Sequence, residues 1–364
     1  MFIKAAFLRR LNRFVVECLI NGKKSMAYLP NPGRLWELLL PRRTLYLKKE
    51  GKALNYTVWA TEKNGQIICL HTHFTNNVAE KILKKGLINE LRDYTIKAKE
   101  IKFGHHRIDF LVGNEFKSFP LEVKSCTLFN DSIAMFPDAV TQRGRSHLEM
   151  LSLNKGAVLF IVHSPSVKYF LPDFHTDPKF SETLSRLREK ILIKAVSVKW
   201  DEEMNFEFVR ELEIPWHIYD NEDKDRGSYI LYGELVKNIS LTVGSLGRLT
   251  FKKGYYLYTG SAMNSLKSRL KRHMNKNKTF QWHIDYLVPV LKGLKPIPVR
   301  ASEPIECKLS NELKNLYYEE IPKFGSSDCE CTSHLYYTDK DPFNDERFIN
   351  ILLKYRISRL MNFI

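Results

Sequence analysis

Asp109, Glu122 and Lys124 are residues whose types and spacing could carry out hydrolysis. Asp109 lies in the β-prone run Arg107-Ile108-Asp109-Phe110-Leu111-Val112, and Pro120-Leu121-Glu122-Val123-Lys124 follows a short glycine-bearing turn region. Side chains alternate between faces along a strand, so Glu122 and Lys124 share one face and Val123 takes the other. A hairpin of the two runs would set Asp109 beside them. Two neighbouring carboxylates offer oxygen ligands to one or two hard cations such as Mg²⁺ or Mn²⁺, and Lys124 could steer or activate a water against a phosphodiester. Standing alone, a Glu-x-Lys pair on a strand is more often a solvated charge pair. The surrounding sequence must therefore decide.

A second group able to do chemistry is Cys307, Cys329, Cys331 and His334, three thiols and an imidazole that could make a tetrahedral zinc set. Cys329 and Cys331 are separated by one residue, where paired zinc ligands usually have two or more between them. Buried free thiols are the expected state of these cysteines, with zinc as the alternative. The chain has no Gly-rich nucleotide loop and no serine elbow.

Ala134-Met135-Phe136-Pro137-Asp138-Ala139, then Thr141-Gln142-Arg143-Gly144-Arg145-Ser146-His147-Leu148, together with Pro30-Asn31-Pro32-Gly33-Arg34 and His106-Arg107-Ile108-Asp109, resemble the sugar fermentation stimulation protein A (SfsA) family in both wording and order. That resemblance runs from the first residues to about 215. The aspartate, spacer and Glu-x-Lys pattern resembles the PD-(D/E)xK nucleases. Together the resemblances imply an OB-like barrel followed by a nuclease-like α/β fold, with Asp109 and Glu122 as metal ligands and Lys124 as their catalytic companion. Glu80, on a preceding helix, and His147 are candidate additions to that site, although Glu80 is expected to face solvent.

The elements that would position these residues follow from periodicity. Residues 1–72 read as short strands, with Asn21-Gly22 marking a hairpin between Phe14–Ile20 and Ser25–Leu29. A small, basic, aromatic all-β unit suits an OB-like barrel. From Asn76 the spacing of Val78, Ala79, Ile82, Leu83 and Leu87 is helical. A helix over about 141–153, a buried central strand at Ala157–Val162, a basic helix over 178–193 and a strand at Ala195–Trp200 complete an α/β unit with a mixed sheet. Residues 201–226 read as polar and irregular, with 221–226 as a linker. The expected division is 1–72, 73–215 and 225–364, which makes the fold class α+β and multidomain.

Beyond the linker, Gly227-Ser228-Tyr229-Ile230-Leu231-Tyr232 and Gly254-Tyr255-Tyr256-Leu257-Tyr258-Thr259-Gly260-Ser261-Ala262 precede a basic helix. This stretch resembles the GIY-YIG nuclease fold, and Trp282–Leu287 and Phe324–Cys329 match an uncharacterised family of that kind. Carried over by motif position, the resemblance implies Tyr229, Tyr258, Arg269 and His273 at a catalytic site and Glu306 as a metal ligand. The departure from the compact motif is an extra segment, Asn238 to Lys253, between the tyrosines.

Lys plus Arg number 57 against 41 acidic residues, a net charge of +16. Such a balance calls for a polyanionic partner, and nucleic acid is favoured over a membrane surface because no convincing basic amphipathic helix is found. DNA is expected ahead of RNA. Arg9, Arg10, Arg13, Arg34, Arg107, Arg143 and Arg145 are the residues expected to meet phosphate. Charges at Lys4, Arg9, Arg10, Arg13 and Glu17 interrupt any signal-peptide core, and no apolar run of about eighteen residues occurs, so a cytoplasmic location without a membrane span is expected. The leading expectation is a metal-dependent nuclease. Its rival is a non-enzymatic, sequence-tolerant DNA-binding regulator of sugar metabolism built on degenerate nuclease folds.

Overall fold

A computed structural model describes residues 1–50, 54–316 and 319–364. The chain divides into two compact units, 1–219 with 357–364, and 220–356. Among the described residues, no helix is long and apolar enough to cross a membrane.

In the first unit, β1 (Ile3–Asn12), β2 (Val15–Ile20), β3 (Lys23–Tyr28), β4 (Thr44–Lys49), β5 (Tyr56–Lys63) and β6 (Gln66–Cys69) form one sheet in the order β3-β2-β1-β4-β5-β6. A further pairing of β3 with β5 closes five of these strands into an OB-like barrel. Asn21 and Gly22, both at positive φ (48° and 77°), make the turn from β2 to β3, as a two-residue hairpin loop requires. Ala5, Phe7, Val16, Cys18, Ala27, Leu45, Leu47 and Val58 fill the barrel.

After α1 (Thr75–Lys84) comes a six-stranded mixed sheet in the order β15-β14-β12-β9-β8-β7, made from β7 (Thr95–Phe103), β8 (His106–Gly113), β9 (Ser118–Cys126), β12 (Ala157–Val162), β14 (Leu192–Trp200) and β15 (Phe206–Glu211). The short strands β10 (Phe129–Asn130), β11 (Ile133–Phe136) and β13 (Tyr169–Pro172) form a separate sheet. The parallel core β9-β12-β14 explains why β12 reads as an unbroken apolar run: all six of its residues are buried. Leu121 and Val123 of β9 pack with Val78 and Ile82 of α1. On the other side of the sheet, Val158 and Phe160 pack with Leu148 and Leu151 of α2 (Gln142–Leu153). Thr141 caps α2, its hydroxyl accepting from Gly144 N at 3.0 Å.

The basic helix expected over 178–193 is shorter. As α3 (Pro178–Arg186) it gives way to a turn over 187–191 that leads into β14, paired with β12 from Leu192. Residues 201–226 are also more regular than their polarity implies. They contain β15, which pairs antiparallel with β14, and α4 (Trp216–Glu222), so the expected linker starts inside a helix.

The second unit is built on a five-stranded sheet, β20-β16-β19-β22-β21, of β16 (Gly227–Leu235), β19 (Gly254–Ala262), β20 (Lys292–Arg300), β21 (Glu319–Glu320) and β22 (Leu335–Thr338). The extra segment between the tyrosines folds as a ribbon of its own, β17 (Ile239–Thr242) with β18 (Arg248–Phe251), and leaves β16 and β19 paired along their whole length. Helices α5 (Leu266–Met274), α6 (His283–Leu287), α7 (Glu306–Asn315) and α8 (Glu346–Arg356) accompany the sheet.

Candidate functional site

The antiparallel pairing of β8 with β9 sets Phe110 opposite Leu121, so Asp109 stands one step further on, beside Glu122. Asp109 is held from two directions: Oδ2 accepts from Val123 N at 2.7 Å and Oδ1 from Asn76 Nδ2 of α1, also at 2.7 Å. Glu122 emerges on the face covered by α2, where His147 Nδ1 meets its Oε1 at 2.6 Å and Lys124 donates to the same oxygen. Glu122 is 5 % exposed, and its second oxygen, Oε2, is buried without a hydrogen-bond partner among the described residues. Leaving a buried carboxylate oxygen unpaired is costly unless something supplies it with positive charge.

The two acids are tuned apart. Burial first, then the charge of Glu122, holds the Asp109 carboxyl above its ordinary value, despite the opposing bonds from Val123 N and Asn76. Burial pushes Glu122 the same way, but the hydrogen bond from His147 and the charge of Lys124 outweigh it, and Glu122 ends below its ordinary value. They open into a cleft of 410 Å³ whose wall also includes Arg13, His73, Asp138 and Arg143. A Cβ at Gly33 would stand 2.2 Å from Asp138 Oδ2, so the Pro30–Arg34 turn can lie on the Phe136–Ala139 segment only because position 33 is glycine. Two separated sequence motifs thus meet at one rim of the cleft.

Several expected residues lie elsewhere or are engaged otherwise. Glu80 does not join the acids: its carboxylate pairs with Lys84 at 2.8 Å and Lys99 at 2.6 Å, and Asn76, one helical turn earlier, is what reaches Asp109. Arg10 is a loop brace, its guanidinium donating to the carbonyls of Gly33 (2.6 Å), Arg34 (3.0 Å) and Asn31 (3.0 Å). Arg145 pairs with buried Asp177, the cap of α3. Arg9 and Arg107 form surface pairs with Glu17 and Glu100, and Arg34 stacks over Trp36. Of the seven arginines, Arg13 and Arg143 line the cleft. Arg143 also reaches His147 Nε2 at 3.3 Å. Asn76 and Asp138 were missed by the sequence reading, although Asp138 sits inside a quoted motif and Asn76 opens the periodic helix.

In the second unit, Tyr229 lies opposite Gly260 and Tyr258 opposite Leu231 on paired strands. The Tyr229 ring covers Gly260, where a Cβ would come within 2.5 Å of its hydroxyl, so this glycine is a packing requirement. Tyr229 OH and His273 Nε2 share a hydrogen bond of 2.7 Å. Burial, aided by the charge of Lys278, pushes His273 down to about 3. Burial also raises both tyrosines, with Arg269 opposing it. Arg269 and Arg272 flank the Trp282 ring at 4.2 and 4.1 Å, but Arg272 is bound bidentately to Asp285, which leaves Arg269 as the guanidinium of a 250 Å³ cleft shared with Tyr229, Tyr258 and Glu306. His273 is buried behind Tyr229 and is absent from the cleft wall.

The buried state expected of Cys307, Cys329 and Cys331 is not what they adopt: they are only half-buried and gather with His334, while Cys18, Cys69 and Cys126 are the buried thiols. Cys329 and Cys331, one residue apart, sit on a bent loop, not on a helix or strand.

The barrel, the mixed sheet with its paired acids and the tyrosine-bearing sheet define a class of chain that joins an SfsA-type half to a GIY-YIG-like domain. Family descriptions match in that order: the SfsA N-terminal OB domain over residues 8–70, the sugar fermentation stimulation protein RE domain over 73–204, and domain of unknown function DUF123 over 228–356. A sugar fermentation stimulation protein homolog of Methanothermobacter thermautotrophicus is 35 % identical over 195 residues, 51 % of this chain and 81 % of that protein. One of Clostridium kluyveri is 37 % identical over 218 residues, 57 % of this chain and 94 % of its own length. The solved structure of Pyrococcus furiosus SfsA in complex with Ca²⁺ is similar with a TM-score of 0.56 and 30 % identity, covering 59 % of this chain and 96 % of that one. The chain belongs to the sugar fermentation stimulation protein family.

Proposed function

We propose that the first unit is a divalent-metal-dependent phosphodiesterase acting on nucleic acid, DNA ahead of RNA, with Asp109 and Glu122 holding the cation. The observation that carries this reading is Glu122 Oε2, a buried carboxylate oxygen without a partner among the described residues, beside the half-buried Asp109 in an open cleft. The donor set is all oxygen, which suits Mg²⁺ or Mn²⁺, and the related P. furiosus protein binds the equally hard Ca²⁺. A cation there would polarise a phosphoryl oxygen and make a bound water more acidic. The chain's own residues do the rest. His147 and Val123 N fix the two carboxylates, Lys124 is placed to guide a water or phosphate, and Arg13 and Arg143 offer charge to the backbone of the substrate. The net charge of +16 provides the long-range attraction.

The cleft of the second unit fits the same substrate class by a different route. Burial raises the pKa of Tyr229 and Tyr258, so both stay protonated and meet phosphoryl oxygens as neutral hydroxyls, not as phenolate bases. Arg269 offsets the charge of the transition state, and Glu306 is the group available to a cation.

The test is a cleavage assay of the full chain on single-stranded, duplex and branched DNA and RNA, with Mg²⁺ or Mn²⁺ and again with chelator. Cleavage that appears with metal and stops with chelator is expected. Binding without cleavage on every substrate would overturn the reading in favour of a DNA-binding regulator.

A further inference from the structure

Cys307 enters from the first turn of α7, twenty-two positions before the loop that carries Cys329, Cys331 and His334, yet the four candidate ligand atoms all lie within 4.8 Å of one another. Cys329 Sγ and His334 Nε2 are 3.3 Å apart. The loop is closed at its stem by backbone bonds, Lys323 N to Thr332 O and His334 N to Phe324 O, both 2.8 Å, and Gly325 supplies the positive φ of 74° that its turn needs. Ser310 Oγ donates to Ser333 O at 2.7 Å and ties α7 to it. Among the described residues, the three cysteines are neither in a paired strand nor among the buried hydrophobic residues of this unit.

From this convergence we infer that Cys307, Cys329, Cys331 and His334 bind one zinc ion with a structural role. Zinc takes thiolate and imidazole ligands in a tetrahedron, and bonds of about 2.3 Å to sulfur put such ligands about 3.8 Å apart, within the spread seen here. An iron–sulfur cluster would need its thiolates spread over several metal atoms, more widely than this set allows. A disulfide would use two of the sulfurs and leave a third sulfur and an imidazole without a task. Three sulfurs and one nitrogen fill all four positions, which is the closed set of a structural site, not the open one of a catalytic zinc.

The consequence reaches the neighbouring cleft. Glu306 directly precedes Cys307, Ser327 and Asp328 directly precede Cys329, and all three, with His334, stand on the wall of the cleft that holds Tyr229 and Arg269. Zinc therefore pins two segments of that wall, while Glu306 remains outside its ligand set. The inference rests on the four ligands alone and is independent of whether either cleft cleaves nucleic acid.

The experiment measures metal content of the full chain, purified in reductant and dialysed without chelator. About one equivalent of zinc per chain is expected in the wild type and in Glu122→Gln, which removes a ligand of the other candidate site. Less than about a tenth of an equivalent is expected in the Cys329→Ser, Cys331→Ser double variant. Because that variant could misfold, the wild type is also loaded with Co²⁺ in place of zinc. Intense near-ultraviolet thiolate-to-cobalt absorption with tetrahedral visible bands is expected, weakened in Cys307→Ser. Wild-type protein without stoichiometric zinc, zinc retained by the double variant, or an octahedral cobalt spectrum without thiolate bands would each overturn the assignment.

Discussion

Asp285 in the second unit and Glu122 in the first are both buried carboxylates, but their surroundings differ in a way that separates support from chemistry. Asp285 is completely enclosed and saturated: Arg272 binds both oxygens, Lys278 approaches Oδ1 at 2.9 Å, and the backbone N–H groups of Gln281 and Trp282 donate to Oδ2 at 2.9 and 3.1 Å. These partners overcome the effect of burial and hold it well below the usual carboxylate range. Nothing of it remains for a ligand, and its work is to fix the basic helix and Trp282. Among the described residues, Glu122 has partners on one oxygen and none on the other. A buried charge fully paired is architecture, whereas one paired on a single side leaves an oxygen able to meet a cation, as proposed for Glu122.

The two clefts carry the same contrast. The first offers acids that can bind a cation; the second offers phenols around an arginine, with a buried histidine held neutral behind them. Within the second cleft, the largest effect that sharpens this difference is expected from Arg269→Ala. It removes the guanidinium that lines this cleft and should slow any cleavage by the second unit about a hundredfold, as loss of a preorganised charge does. Measured in the Glu122→Gln background, so that the first cleft is silent, an unchanged residual rate would erase the assigned role.

A smaller effect concerns acid. His273 is held at about 3 against an ordinary 6.5, so between those values the unfolded chain takes up a proton that the folded unit refuses. Stability is therefore intact above about pH 6.5 and falls as the pH drops toward 3, by at most about 1.4 kcal/mol per pH unit from this residue. Buried His163 in the first unit, also pushed down to about 3, acts in the same direction. Denaturant unfolding of the wild type and His273→Gln at pH 7 and 4.5 isolates the His273 share, and the variant should lose less between the two values. Equal losses would mean that His273 is not neutral in the fold.

The smallest effect is expected at Glu80. Its pairs with Lys84 and Lys99 lie at the surface, where such pairs are worth about 1 kcal/mol or less. Glu80→Gln should leave metal-dependent cleavage unchanged, and a marked loss of rate would return this residue to the site.

These residues also show what the sequence discloses and what it withholds. Period-two alternation put Glu122 and Lys124 on one face, and Asn21-Gly22 marked its hairpin, because both signals are local. Arg10 and Arg145 looked like phosphate contacts because their partners, the carbonyls near residue 33 and the carboxylate of Asp177, are distant in sequence. Asn76 was passed over for Glu80 because charge draws attention that position does not justify: both lie on α1, and the hydrogen bond to Asp109 selects the neutral residue. Cys307 and its distant companions converge through tertiary structure that spacing rules for adjacent cysteines do not capture.

The most direct test of the paired-acid site compares the wild-type chain with Glu122→Gln in both cleavage and DNA binding. The substitution removes a proposed cation ligand and a negative charge facing phosphate, so metal-dependent cleavage in the Arg269→Ala background should fall by about a thousandfold while affinity for DNA stays equal or rises. Cleavage at the unaltered rate would contradict the account.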